Sequence, residues 1–300
     1  MNERRAIGFA LSAVLLWSTV ATAFKITLQY FTPIQMLLVA SMVSSITLII
    51  IAGYQKKLKH LKSTFFAKPK FFLLLGLINP LGYYLILFKS YDLLPASQAQ
   101  PLNYSWAITL TLMAAVFLGH KIRKQDWVAC TLGYFGVIVI ATKGNLLALQ
   151  FESPLGVGLA LLSTLLWASY WILNAKNKSD PILGLLLGFL VALPLTVMLN
   201  IYESQPWDGI TWEGWLAVSY VGFFEMGVTF VLWLSALKLT SNTARISNLI
   251  FVSPFISLML LSQIIGEEIH PSTLTGLALI VCGLIIQQVK FKKAVAQPEA

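Results

Sequence analysis

The sequence predicts an all-α membrane protein with ten transmembrane helices in two inverted five-helix repeats around a central cavity. Three observations carry this prediction: the composition, ten long apolar runs, and an internal repeat. Of the 300 residues, 57% are hydrophobic and 11% are charged, whereas soluble domains carry about 25% charged residues. The mean hydropathy of +0.77 is equally far from that of a soluble domain. The chain therefore belongs in a bilayer.

Each apolar run is long enough, or nearly long enough, to cross a hydrocarbon core. In chain order the runs are Ala6 to Leu28, Ile34 to Gly53, Phe71 to Ser90, Ser97 to Gly119, Trp127 to Thr142, Leu155 to Asn174, Ile182 to Ile201, Trp215 to Leu237, Ile246 to Ile265 and Leu274 to Val289. A transmembrane barrel would instead show alternating segments about ten residues long. The sequence lacks that alternation.

The formal net charge of +9 has a topological meaning. Basic residues gather at both termini and in the loops after even-numbered helices, above all between Gln55 and Lys70. Because basic loops stay in the cytoplasm, we expect both termini to be cytoplasmic in a multi-pass protein of the cell inner membrane. The Gln55 to Lys70 loop also predicts mild attraction to anionic membrane lipid. No single basic face is present, so nucleic acid is not expected as a partner.

The chain contains an internal repeat. Leu15-Leu16-Trp17 recurs as Leu165-Leu166-Trp167, and Leu118 to Ile122 with its glycine-containing continuation resembles Ile265 to Ile269. Residues 1–146 and 147–290 are therefore predicted to be five-helix repeats, followed by a cytoplasmic tail at 291–300. An odd number of helices inverts the second repeat relative to the first, as in many secondary transporters.

The eighth run contains a carboxyl group, Glu225. At 1.5 Å per residue it lies about 15 Å beyond Trp215, near the middle of a core about 30 Å thick. It therefore needs a buried partner, a proton or a water-filled cavity. Matching Ser90 with Ser235 sets Glu225 opposite Pro80, which removes a backbone hydrogen bond from the third helix. Paired interruptions at one level are typical of a transport site; a kink that serves packing alone is the alternative.

Several motifs resemble one membrane-protein family: Trp17 with Lys25 eight residues on, Pro254 before Gly266-Glu267, and the run Gly276 to Gly283. On these residues the chain is similar to EamA-type members of the drug/metabolite transporter superfamily. The resemblance implies helices one to four and six to nine around a cavity, with helices five and ten peripheral.

One motif is similar to the aromatic amino-acid exporter branch of that superfamily: Asn103-Tyr104-Ser105-Trp106. Ala107 stands where that branch has proline, so we expect the fourth helix to lack a kink there. His120 and Lys121 replace the Gly-Glu pair that the second half keeps, and His120 is interpreted as a solvated loop residue.

The candidate residues for substrate binding or coupling are polar or aromatic side chains inside the apolar runs: Glu225, Trp17, Asn79, Tyr83, Asn103, Trp106, Trp167 and Asn248. Trp17, Tyr83, Trp106 and Trp167 are predicted to approach one central volume. The alternatives are aromatic filling of the core and, for Glu225, a fixed structural hydrogen bond. Lys25 is either functional or a snorkelling residue at the rim.

These observations predict a secondary active transporter, an exporter of small organic metabolites, with amino acids or related amines as substrates. Glu225 is expected to face the cavity and to carry a proton during part of the cycle, so protons are expected partners. The alternatives are a sugar or phosphorylated-metabolite exchanger of the same superfamily, or a membrane-embedded enzyme. The sequence contains no GxxxxGK[ST] motif for ATP, and we expect no catalytic residue, no metal and no cofactor.

Overall fold

The computed structural model describes residues 2–119, 121–147, 151–175, 177–241, 246 and 248–288. Over these ranges the chain is helical and contains no strand. The predictions for His120 and for the tail at 291–300 lie outside the described residues.

Ten long helical segments follow one another along the described chain. They are α1 (Glu3–Leu28), α2 (Pro33–Tyr54), α3 (Pro69–Leu93), α4 (Ala96–Leu118), α5 (Lys124–Ala141), α6 (Pro154–Ala175), α7 (Pro181–Glu203), α8 (Trp212–Leu239), α9 (Leu249–Ile265) and α10 (Pro271–Gln288). A short helix, Leu61–Ala67, lies between α2 and α3.

Eight of the described helices are long and apolar enough to cross a membrane. The two others are α5 and α9. Helix α9 is shorter, and α5 begins with the polar sequence Lys124-Gln125-Asp126. The described residues of all ten apolar runs fall largely on helix, while the number of membrane crossings stays a prediction.

The bundle has a basic end, which we define as the end where α1 begins and α8 ends. Lys57 after α2 pairs with Asp180 at the start of α7, with 2.7 Å between Nζ and Oδ2. Arg123 before α5 donates from Nη2 to the carbonyl of Gln287 at the end of α10, at 2.8 Å. The loops after even-numbered helices therefore lie at this end of the bundle.

The other loops meet at what we call the opposite end. Gln35 at the start of α2 donates from Nε2 to the carbonyl of Pro206 before α8, at 2.9 Å. Gln98 at the start of α4 donates to Oε2 of Glu152 before α6, at 3.1 Å. Successive helices therefore run in opposite directions between the two ends.

Helices α3 and α8 are both interrupted, as the sequence predicts. In α3 the turn Leu77–Gly82 is widened around Asn79, whose φ of −143° and ψ of 121° are non-helical. In α8 the widened segment is Val221–Val228, which contains Glu225. Widened turns leave carbonyl groups without their usual intrahelical donor. One of these, the carbonyl of Met226, accepts a hydrogen bond from Ser44 Oγ of α2 at 2.8 Å.

Each interrupted helix packs closely against a helix of the other half of the chain. A Cβ on Gly76 of α3 would lie 2.7 Å from the carbonyl oxygen of Gly188 in α7. A Cβ on Gly222 of α8 would lie 2.5 Å from the carbonyl oxygen of Ala40 in α2. Small residues therefore bring backbones into direct contact on both sides of the bundle.

Helix α4 has a local irregularity at Ser105, between Ala96–Tyr104 and Trp106–Leu118, and its first part contains Pro101. Ser105 N donates to the carbonyl of Leu102 at 3.2 Å, and Ser105 Oγ donates to the same carbonyl at 2.7 Å. Serine side chains compete in this way with the regular helical bonds. The proline missing at Ala107 is thus not needed for a local irregularity.

Helices α5 and α10 pack against each other through glycine. A Cβ on Gly136 or on Gly276 would lie 2.5 Å from the carbonyl oxygen of the other residue, and a Cβ on Gly283 would lie 2.8 Å from the carbonyl oxygen of Ala129. Small residues therefore bring these two backbones into direct contact. Gly133 instead faces Ile108 of α4.

The Gly136–Gly276 contact gives a stability prediction. Gly276→Leu should destabilise the purified protein, because overpacking a tight contact costs about 1–3 kcal/mol. The midpoint of thermal unfolding in detergent should fall. Gly158→Leu is the matched control, since a Cβ there meets nothing within 4 Å. An equal fall in both variants would contradict the assignment.

Candidate functional site

A cavity of about 340 Å³ lies between α1, α3, α4, α6, α8 and α9, and Gln288 at the end of α10 also lines it. Six of the eight candidate residues line it: Trp17, Tyr83, Asn103, Trp106, Trp167 and Glu225. The other two do not. Asn79 is buried at the break in α3, beside Tyr170, and Asn248 at the start of α9 is exposed.

Glu225 is the acidic group of the cavity wall. The widened turn of α8 directs it into the bundle, where only 9% of the residue is exposed. Tyr84 of α3 donates a long hydrogen bond to Oε1, at 3.4 Å, and the indole of Trp17 lies beside the carboxyl group. Within the described part of the chain, Oε2 has no hydrogen-bond partner. This oxygen is available to a proton or a ligand.

Aromatic rings form a continuous wall along the cavity. Trp17 packs edge-on against Phe230 at 5.8 Å between ring centroids, and Phe230 packs against Trp167 at 5.9 Å. Trp167 stacks on Tyr83 at 4.5 Å. Trp106 meets Trp167 at right angles, with 6.3 Å between centroids. The cavity thus presents ring faces and edges from five helices.

Asn103 is held by its neighbours on two helices. Its Nδ2 donates to Ser163 Oγ of α6 at 2.9 Å, and its Oδ1 accepts from the Tyr83 hydroxyl at 3.4 Å. Next to it in sequence, Tyr104 hydrogen-bonds to Ser253 of α9 at 2.9 Å. Both side chains therefore tie α4 to other helices as well as lining the cavity.

At the opposite end, outside the described cavity lining, two ionic side chains bind the turn between α3 and α4. Lys25 Nζ of α1 donates to the carbonyls of Tyr91 and Leu94 at the end of α3, at 2.8 and 3.0 Å. Glu267, after α9, accepts from the amide of Ser97 at 2.8 Å and from that of Ala96 at 3.2 Å. These contacts satisfy terminal backbone groups of α3 and α4. Lys25 therefore does more than snorkel at the rim.

A related contact lies at the basic end. The amide of Asn2 donates to the carbonyl of Leu239 at 3.1 Å, and Glu3 Oε1 accepts from the amide of Ser241 at 2.6 Å. Leu239 and Ser241 lie 145 residues after Leu94 and Ala96. Lys25 and Glu3, near opposite ends of α1, thus each bind a residue that follows an interrupted helix.

The cavity is more accessible toward the basic end. Phe24 and Tyr91, at its other extremity, are 1% and 3% exposed. Trp106, Leu110 and Trp171 lie nearer the basic end and are partly exposed. A ligand would therefore enter from the basic end and meet Glu225 farther in.

Several lining residues were not among the eight candidates from sequence: Gln100, Trp171, Phe230 and Trp233. Tyr84 of α3 contacts the carboxyl group but is not part of the lining. Trp171 stacks on Trp106 with 6.3 Å between centroids. The available signal was its spacing of four residues from Trp167, which sets both on one helical face.

The comparisons with known proteins agree with this architecture. An uncharacterized transporter of Clostridium kluyveri is 24% identical over 95% of this chain and 94% of its own length. The aromatic amino acid exporter YddG of Ancylobacter novellus is 24% identical over 70% of this chain and 71% of its own length. A crystal structure with 22% identity covers 94% of this chain and 96% of its own chain with a TM-score of 0.67, which indicates the same fold.

The family comparison covers nearly the whole chain. The model of the EamA-like transporter family matches residues 4–142 and again residues 154–287. The Escherichia coli K12 inner membrane transporter YedA, itself uncharacterized, is 24% identical over 59% of this chain and 56% of its own length. The chain is thus a multi-pass membrane protein and belongs to the EamA-like transporter family.

Proposed function

We propose that this protein is a secondary active transporter that exports small organic metabolites, amino acids or related amines, by alternating access. The observation that carries the proposal is Glu225, a carboxyl group with an unpaired oxygen in a cavity that is closed at one end. A buried acid of this kind is a functional-site hypothesis by default in a membrane protein. The cavity of about 340 Å³ around Glu225 is large enough for a small organic substrate.

We propose that ten helices span the membrane and form two inverted repeats, residues 1–146 and 147–290, with the cavity between them. In support, the close contact between Gly76 and Gly188 has its counterpart in that between Gly222 and Ala40. The members of each pair of equivalent positions lie 146 or 148 residues apart. Inverted repeats place substrate sites at their interface, on interrupted helices.

Alternating access requires two closures that are not both released at once. At the opposite end, Lys25 and Glu267 bind the turn between α3 and α4. At the basic end, Glu3 binds the turn between α8 and α9. We propose that release of the first closure and narrowing at the basic end convert the described state into one open to the other side.

Glu225 is proposed to couple this cycle to protons. A carboxyl group in an apolar site is costly in its ionised form, so it would hold a proton when the cavity is empty. Substrate arriving from one side would displace the proton, and opening to the other side would restore it. Because this exchange is reversible, either the proton gradient or the substrate gradient could drive transport.

The substrate class is supported by the lining and by one relative. YddG of Ancylobacter novellus is named as an aromatic amino acid exporter, and the cavity here is rich in aromatic rings. A phosphorylated substrate fits less well, because the described lining includes no lysine or arginine.

The basic end is proposed to face the cytoplasm, with both chain termini. Ser63, exposed in the Gln55 to Lys70 loop, gives a test. In a variant without Cys130 and Cys282, Ser63→Cys should resist a membrane-impermeant thiol reagent in intact cells and react after lysis. Asp208→Cys, exposed at the opposite end, is the control and should react in intact cells. Labelling of Ser63→Cys from outside would contradict this orientation.

The role of Glu225 is tested by Glu225→Gln, which keeps the size and hydrogen bonding of the side chain but cannot exchange a proton. Cells that overproduce the protein should release an amino acid or amine faster than cells without it. The pH-driven flux of the Glu225→Gln variant should be at least about tenfold lower than that of the wild type. Its elution volume in size-exclusion chromatography should stay unchanged.

Glu213→Gln is the matched control for that experiment, because Glu213 is an exposed acid at the start of the same helix. Its flux should equal that of the wild type. If the Glu225→Gln protein still concentrates substrate under an imposed pH difference, Glu225 is not the proton carrier.

A further inference from the structure

We infer that the cavity selects a protonated amine with an aryl body and no carboxylate, and that it discriminates against zwitterionic amino acids. The inference rests on the proposed function and narrows its substrate class. It follows from three features of the described lining: the charge, the unpaired polar atoms and the position of the aromatic rings.

The first feature is charge. Glu225 is the one ionisable acid among the described lining residues, and these include no lysine, arginine or histidine. The nearest lysine toward the opposite end, Lys25, is directed to the carbonyls of Tyr91 and Leu94. A ligand ammonium group would therefore meet one carboxylate. A ligand carboxylate would meet no described cation.

The second feature is the unpaired polar atoms. Among the fully buried atoms of the described lining, three unpaired atoms are acceptors: Glu225 Oε2, Gln100 Oε1 and, toward the basic end, Gln288 Oε1. Asn103 has both its amide atoms engaged by Tyr83 and Ser163. An ammonium group brings three donors and no acceptor, so it fits the acceptors on this wall. A buried ligand carboxylate would find only neutral donors in the described lining and no cationic one, which disfavours a zwitterion.

Among the fully buried lining atoms without a hydrogen-bond partner in the described residues, one is a donor, and it lies toward the basic end. Trp171 Nε1 is buried without a hydrogen-bond partner among the described residues, on the partly exposed side toward the basic end. A single neutral N–H there does not neutralise a carboxylate. It accommodates a hydroxyl or carbonyl group on the distal part of a ligand.

The third feature is the aromatic rings beside the acid. Trp17 lies next to the Glu225 carboxyl group and contacts Phe230 at 5.8 Å and Trp233 at 5.4 Å between centroids. A cation is attracted to the faces of such rings, to tryptophan most strongly. An aryl body would pack along Tyr83 and Trp167, which are themselves stacked. The volume of about 340 Å³ admits a small ligand of this kind.

Three probes of matched size test the inference: phenethylamine, L-phenylalanine and 2-phenylethanol. Binding to the purified full-length protein in detergent is measured by equilibrium dialysis with radiolabelled compounds. We expect phenethylamine to bind at least about tenfold more tightly than either other probe, because only it brings a net positive charge to Glu225. This comparison uses the wild-type protein and does not depend on any variant folding.

Two variants then test whether Glu225 is the group that binds the ammonium. Glu225→Gln should weaken phenethylamine binding at least about tenfold and leave 2-phenylethanol binding unchanged. Glu213→Gln should change neither. Equal or tighter binding of L-phenylalanine, phenethylamine binding that is insensitive to Glu225→Gln, or no binding of any probe would overturn the inference. The pH-driven flux assay judges the transporter proposal separately, so failure of one is distinguishable from failure of the other.

Discussion

A carboxyl group halfway along an apolar helix has to be compensated within the bundle, since it cannot reach water at either membrane surface. The arrangement around Glu225 follows from that constraint. The described lining contains no cation to pair with it, Tyr84 contributes one long hydrogen bond, and the rest of the compensation is left to a proton, to water in the cavity or to a ligand. A fixed ion pair would have made the group structural. An unpaired oxygen in a cavity makes it exchangeable.

The interrupted helices α3 and α8 provide the space for this acid. Widened turns displace side chains relative to a regular helix, and the freed backbone groups are tolerable only against protein or a polar cavity. Close contacts through Gly76 and Gly222 hold both interruptions against the partner half. A related pair of contacts lies at the two ends of α1. Near one end Lys25 binds the turn after α3, and near the other end Glu3 binds Ser241 after α8. One helix therefore contacts both closures of the proposed cycle.

Much of this architecture was predictable from sequence, because the bilayer imposes long apolar runs and the repeat relates the two halves. Glu225 and Trp167 were identifiable as a charge and a large ring in mid-helix. Tyr84, Phe230 and Trp233 were harder to identify, since an aromatic residue in an apolar run has the same pattern whether it faces lipid, core or cavity. The irregularity at Ser105 depends on a local side-chain bond that the absence of proline did not indicate. Asn248 was chosen for its polarity, and its exposed position depends on where α9 begins.

If Glu225 exchanges a proton for a cationic substrate, binding of that substrate should release the proton into solution, and this release can be measured. Phenethylamine, already protonated near neutral pH, is added to the purified protein in weakly buffered detergent solution while the pH is recorded. The account predicts release of up to about one proton per bound amine by linkage, and none from the Glu225→Gln protein. Saturating binding without proton release, or equal release from the glutamine variant, would contradict it.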